Sequence, residues 1–176
     1  MTKLHDETIE QLKQKNQLFQ QKYHTEFKKH LKGQSPKIAV LTCSDSRVIP
    51  ELIFDGAIGE LFVVRIAGNI ILDETIIDSI NYAIDHHKIT HLIVLAHSHC
   101  GAVKAAEEAG ETNIELLKEI QRSFPLNSKD HVLANLSRQL DLLPHRSQSI
   151  SNAIKKGSLR LIGAMYHLEN GHVDFF

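Results

Sequence analysis

Apolar residues recur at three- to four-residue steps, or multiples of them, across residues 6–31: Ile9, Leu12, Phe19, Tyr23, Phe27 and Leu31 stand among Gln, Lys and Glu. That spacing predicts an amphipathic helix, in one or two pieces. Gly33-Gln34-Ser35-Pro36 stops it, since proline lacks a donor and glycine suits a helix end. The pattern then changes. Residues 38–43 and 61–65 are short apolar runs, the look of strands buried on both faces of a parallel sheet. The second run closes on Ala67-Gly68-Asn69. Between residues 73 and 88, Ile76, Ile77, Ile80, Ala83 and Ile84 return to helical period, with Asp73 placed to cap. A third run covers 91–96, and Gly101 opens a small-residue helix through Ala109. Strand, helix, strand at this spacing is a βαβ signature.

Helical patterns dominate residues 113–156, and the tail, 159–176, predicts a hairpin turning at Asn170-Gly171. The expected fold is α/β: a mostly parallel central sheet flanked by helices, with an N-terminal helical arm and a C-terminal hairpin that could add an antiparallel edge strand. No linker or repeat interrupts the chain, so a single domain over 1–176 is expected, with an arm at 1–32, a core at 37–110, and helices plus hairpin at 113–176.

At 176 residues, 42% hydrophobic and 23% charged, the chain suits one globular domain. Twenty basic against 21 acidic residues leave a formal charge of −1, which gives no electrostatic reason to expect nucleic acid or an anionic membrane. No apolar run approaches the ~18–20 residues of a membrane span, and the first residues lack the apolar stretch of a signal peptide. A cytoplasmic protein is expected. The thiols are Cys43 and Cys100 alone; a disulfide is disfavoured there, leaving a metal or redox role, or plain burial. Most of the 12 histidines, such as His24, His30, His131 and His145, stand among charged residues where a solvated side chain is the default.

Each cysteine falls where a predicted strand ends and a loop begins, the place where open α/β sheets put their ligand sites. Around the first stands Cys43-Ser-Asp45-Ser-Arg47; extended backbone would put Cys43, Asp45 and Arg47 on one side. Around the second stands His97-Ser-His-Cys100-Gly101, with Cys100 ahead of a helix whose N-terminal donors favour a thiolate. Cys43, His97 and Cys100 make a Cys2His set, one of the catalytic zinc arrangements when a fourth place is open. Sulfur with imidazole selects zinc over magnesium or calcium. Two buried free cysteines with a core histidine is the bland alternative. A redox C-x-x-C pair does not occur, His99 competes with His97 as ligand, and Asp45 with Arg47 can also be read as a plain ion pair.

These residues resemble the β-class carbonic anhydrases. The motifs are Cys43-x-Asp45-Ser-Arg47, Arg65-x-Ala-Gly-Asn69 and His97-x-x-Cys100-Gly101, and the resemblance runs from about Gly33 to Ala106 and more weakly to the hairpin. It implies one zinc per chain on Cys43, His97 and Cys100, with the fourth position held by water, or by Asp45 in a closed state. The activity implied is reversible hydration of carbon dioxide to bicarbonate and a proton by attack of zinc-bound hydroxide. Asp45 and Arg47 would be the catalytic pair that orients or gates the site. Gln34, Phe62 and Tyr82 look like the substrate-side residues of the plant-type branch, with Gln34 and the Gly101 amide as donors to substrate oxygen.

Another branch has a tryptophan three residues before the first zinc cysteine, part of a regulatory bicarbonate site; Val40 stands there and the chain has no Trp. Ile66 replaces a frequent asparagine, and Ala102 a frequent second glycine. The resemblance also implies a homodimer or homotetramer with the site near a subunit interface. Hydrolysis of carbonyl sulfide or carbon disulfide, or a non-catalytic zinc scaffold, are the alternatives.

Overall fold

A computed structural model describes residues 3–124 and 130–176, in two compact units, 1–34 and 35–176. The first is one long helix, α1 (Lys3–His30). Its own side chains support it: Glu10 pairs with Lys13 and Glu26 with Lys29 one turn apart, and Phe19 meets Tyr23 at 4.8 Å and Phe27 at 5.7 Å between ring centroids. Ile9, Leu12, Leu18 and Phe19 are exposed along it.

The second unit carries the sheet: β1 (Ile38–Thr42), α2 (Pro50–Ile53), β2 (Leu61–Arg65), a 3-10 turn (Ala67–Asn69), α3 (Glu74–His87), β3 (His91–His97), α4 (Gly101–Glu108), α5 (Glu115–Gln121), α6 (His131–Arg146), α7 (Gln148–Lys155), β4 (Arg160–Tyr166) and β5 (Val173–Phe175). The strand order is β2-β1-β3-β4-β5. The first four are parallel, and β5 alone runs antiparallel, on β4. The expected fold class is the one found, and the tail is more than a hairpin, since β4 also pairs along its whole length with β3.

The apolar runs of β1 and β3 became strands because both of their faces are covered, whereas β2, expected to be buried on both faces, is an edge strand and only half-buried. On one face Leu41, Leu92 and Val94 pack with Ile77, Ile80 and Ile84 of α3, Leu136 and Leu143 of α6, and Ile150 of α7. On the other, Val40, Ile93 and Leu95 pack with Val48 and Ala164. Asp73 caps α3 as the sequence suggests, its carboxylate accepting from the Thr75 and Ile76 amides. α6 lies so close to β4 that a methyl group at Gly163 would stand 2.7 Å from Leu140 Cδ1. Among the described residues no helix is long and apolar enough to cross a membrane.

The chain begins the sheet in its interior with β1, places β2 on one side, and crosses to the other with β3. Beyond the carboxyl ends of β1 and β3 the connecting loops therefore diverge, and that crevice is where this architecture binds ligands.

Candidate metal centre

Cys43 is the first residue after β1, His97 is the last of β3, and Cys100 caps α4. One ligand atom from each lies within 4.8 Å of the others. All three are buried. The two sulfurs are 4.0 Å apart, so the cysteines are free thiols. Two sulfurs ~2.3 Å from one tetrahedral ion would stand roughly 3.8 Å apart, so the spacing fits zinc.

The imidazole makes the same point. His97 Nδ1 lies 2.9 Å from the Ser98 carbonyl. A carbonyl only accepts, so Nδ1 carries the hydrogen and Nε2 keeps its lone pair. Nε2 is buried without a hydrogen-bond partner among the described residues, a costly arrangement that a metal ion resolves. Charge agrees. The Cys43 thiol is pushed well down, chiefly by the Cys100 hydrogen bond and then by His97 and the Gly68 amide. Cys100 is driven up, chiefly by that same bond to Cys43 and by burial. Two thiolates this close repel each other, so a cation between them favours ionisation of both.

Asp45 stands beside this cluster, its Oδ2 4.0 Å from His97 Nε2. Arg47 grips it twice, Nε to Oδ1 at 3.0 Å and Nη2 to Oδ2 at 2.7 Å, and the Arg47 amide adds a third bond at 2.9 Å. This guanidinium holds the carboxyl below the usual carboxylate range. Arg65 braces the loop from β2, donating to the Asp45 and Val48 carbonyls at 2.8 Å each and to the Cys43 carbonyl at 3.3 Å. A cavity of about 420 Å³ reaches Cys100 along α4, past Val103 and Glu107.

The turn between His97 and Cys100 has its own support. His99 takes a left-handed φ of 53°. Its Nε2 lies 2.6 Å from Glu169, which also accepts from Ser98 Oγ at 2.9 Å. The hairpin carrying Glu169 thus secures the ligand-bearing turn. Sequence reasoning gave Glu169, Asn135 and Gln139 no role, because their partners lie far along the chain.

The other site candidates are distributed. Gly101 starts α4 with open space where a Cβ would be. Gln34 belongs to the first unit and is exposed. Phe62 and Tyr82 meet at 6.3 Å, with Tyr82 stacked on His86 at 4.5 Å. Phe62 pairs in register with Ala39, four residues before Cys43, so it lies roughly 13 Å along the sheet from its own chain's cluster.

A model of the family described as Carbonic anhydrase matches residues 38–173. Carbonic anhydrase 2 of Mycobacterium tuberculosis is 34% identical over 153 residues, covering 79% of this chain and 73% of that protein. A carbonic anhydrase of Mycolicibacterium smegmatis is 35% identical over 156 residues, covering 81% and 75%. Among solved structures, a tetrameric β-carbonic anhydrase from Sordaria macrospora superposes with a TM-score of 0.83 at 25% identity, covering 97% of each chain. The Coccomyxa β-carbonic anhydrase, solved with acetazolamide, gives 0.76 at 26% identity, covering 95% of this chain and 83% of that one. Cys43, His97 and Cys100 converge at the switch point of a sheet shared with these enzymes, and the chain belongs to the β-class carbonic anhydrase family.

Proposed function

We propose that this chain catalyses the reversible hydration of carbon dioxide to bicarbonate and a proton. The observation that carries the reading is the buried convergence of Cys43, His97 and Cys100, with a carboxylate held beside the cluster. Zinc, one ion per chain, is the group these residues hold; its Lewis acidity makes water acidic enough to ionise near neutral pH. Three strong protein ligands leave a coordination place open, which favours catalysis over a purely structural site.

Asp45 is the proposed catalytic carboxylate. While Arg47 grips both of its oxygens, Asp45 stays off the cluster, and Oδ2 can accept a hydrogen from the attacking oxygen and aim its lone pair at carbon. If Arg47 lets go, Asp45 can become the fourth ligand and close the site. The Gly101 amide and Gln34 are candidate donors to substrate oxygen, Gln34 on the motif resemblance alone.

Phe62 and Tyr82 are assigned to the apolar wall that suits a nonpolar gas. Their distance from their own chain's cluster supports a role at the site of a second copy. These two residues, together with Gln34 and the absence of tryptophan, support reading the chain as one of the plant-type branch. A homodimer or homotetramer follows; the Sordaria enzyme is described as tetrameric. Residues 1–176 act as one domain, in the cytoplasm, with neither nucleic acid nor membrane as partner.

Elemental analysis and stopped-flow carbon dioxide hydration on one purified sample test the proposal. One zinc per chain and hydration far above the buffer rate are expected. Zinc-loaded protein at the buffer rate would overturn the enzymatic reading. Faster turnover of carbonyl sulfide or carbon disulfide in parallel assays would overturn the substrate.

A further inference from the structure

We propose that Asn135 is a positioning residue for the metal ligand Cys43, acting through Gly68. Asn135 pins the 3-10 turn so that the Gly68 amide donates to the Cys43 sulfur, and this bond sets how much charge the sulfur gives to the ion. Asn135 Nδ2 donates to the Gly68 carbonyl at 2.8 Å, and the Gly68 N–H donates to Cys43 Sγ at 3.2 Å. Gln139, one turn further along α6, donates to Asn135 Oδ1 at 3.0 Å and accepts from the Ile71 amide at 2.9 Å. The Asn135 carboxamide is therefore held at both ends. Asn135 is 1% exposed and Gln139 not at all.

Two carboxamides buried in the middle of a helix are costly unless every polar atom is used. Here they are spent on the segment 68–71 that abuts Cys43. Gly68 has φ 72° and no side chain, so its own chain leaves the direction of its peptide groups undetermined; a clamp on its carbonyl removes that freedom. A hydrogen bond to a thiolate stabilises its charge on sulfur and so reduces donation to a bound ion. Two thiolates nearly cancel a divalent charge, and each such bond returns some of it. Hydrogen bonds behind metal ligands commonly change affinity 10–100-fold.

The inference rests on zinc being held by Cys43, and the test separates the two claims. In full-length protein loaded with cadmium-113, NMR is expected to show scalar coupling between the Gly68 amide proton and the metal, carried through the N–H···S bond. Asn135→Ala and Asn135→Leu are expected to lose that coupling. With cobalt in the site, the same variants are expected to shift the sulfur-to-metal charge-transfer band to lower energy. Ser147→Ala removes a buried hydroxyl whose partners, Asn81 and the Ile150 amide, lie outside the clamp; it should lower stability and leave the coupling and the band in place. Wild-type protein that binds cadmium stoichiometrically without the Gly68 coupling overturns the proposal, whatever the variants do. Coupling and band that persist in folded Asn135 variants overturn it as well. Wild-type protein that takes up no metal overturns the metal-site reading and this inference with it.

Discussion

Replacing Gly68 by alanine tests the geometry of the metal turn at its tightest point. Gly68 sits at φ 72°, and a Cβ built there would stand 2.8 Å from Ile120 Cδ1, 3.4 Å from Ile120 Cγ1 and 3.5 Å from the Ala102 Cβ. Two costs add. Holding an L-residue in the left-handed region costs about 1–2 kcal/mol, and forcing a methyl group against the fully buried Ile120 costs about 1–3 kcal/mol more. The expected destabilisation of Gly68→Ala is therefore about 2–5 kcal/mol, roughly 4–20 °C in melting temperature for a chain of this size. Urea unfolding of the metal-free protein measures it without any contribution from bound zinc. The two costs are separable, because Ile120→Val deletes Cδ1, the atom the new methyl would strike. In the double variant the packing cost should vanish while the conformational cost stays, giving a favourable coupling of about 1–3 kcal/mol. A Gly68→Ala change below about 1 kcal/mol, or a double variant showing no coupling, would refute the reasoning.

Arg47→Ala should abolish hydration while zinc remains at one ion per chain, since no metal ligand is touched; full activity in a stopped-flow assay sinks the gate. Ser147 caps α7 by accepting from the Ile150 amide at 3.1 Å and also donates to Asn81 Oδ1 at 2.7 Å. Ser147→Ala should cost about 1 kcal/mol in urea unfolding, and an unchanged midpoint would count against the cap. Asp174 accepts from His167 at 2.8 Å and from His172 at 3.1 Å, which lower its folded-state pKa, His167 first. A depressed carboxyl stabilises the fold above its unfolded value of about 3.9 and loses that effect as pH falls through the lower folded value. Carbon-detected NMR of the carboxyl should therefore titrate below about 3.9, and a midpoint at or above it contradicts the pairing.

The sequence shows those parts of the molecule whose causes are local. The runs 38–43 and 91–96 are apolar without alternation because both faces of β1 and β3 are covered, and the structure pairs them, with the half-buried edge run 61–65, in parallel register. The metal triad was visible because strand ends are where cysteines and a histidine have little packing reason to be. Other features have distant causes. α2 is four residues long, too short to show a period. Pro144 would ordinarily end a helix, yet α6 continues through it to Arg146. β4 was legible as a hairpin arm from Asn170-Gly171, but its parallel pairing with β3 is set from 69 residues upstream. Asn135 and Gln139 look like solvent positions in helical pattern; their partners Gly68 and Ile71 are 67 and 68 residues away.

The sheet's far margin is guarded by very little. β5 has three residues and lies against a β4 of seven, and the Phe176 amide bonds the Gly163 carbonyl just beyond it. Removing the chain after Tyr166 would strip that cover and leave a long parallel strand with unpaired amides and carbonyls, a template for stray chains. Such a truncation keeps Cys43, His97 and Cys100 but also removes Glu169, which holds the turn between His97 and Cys100, so its expected defects are self-association and a loosened metal turn.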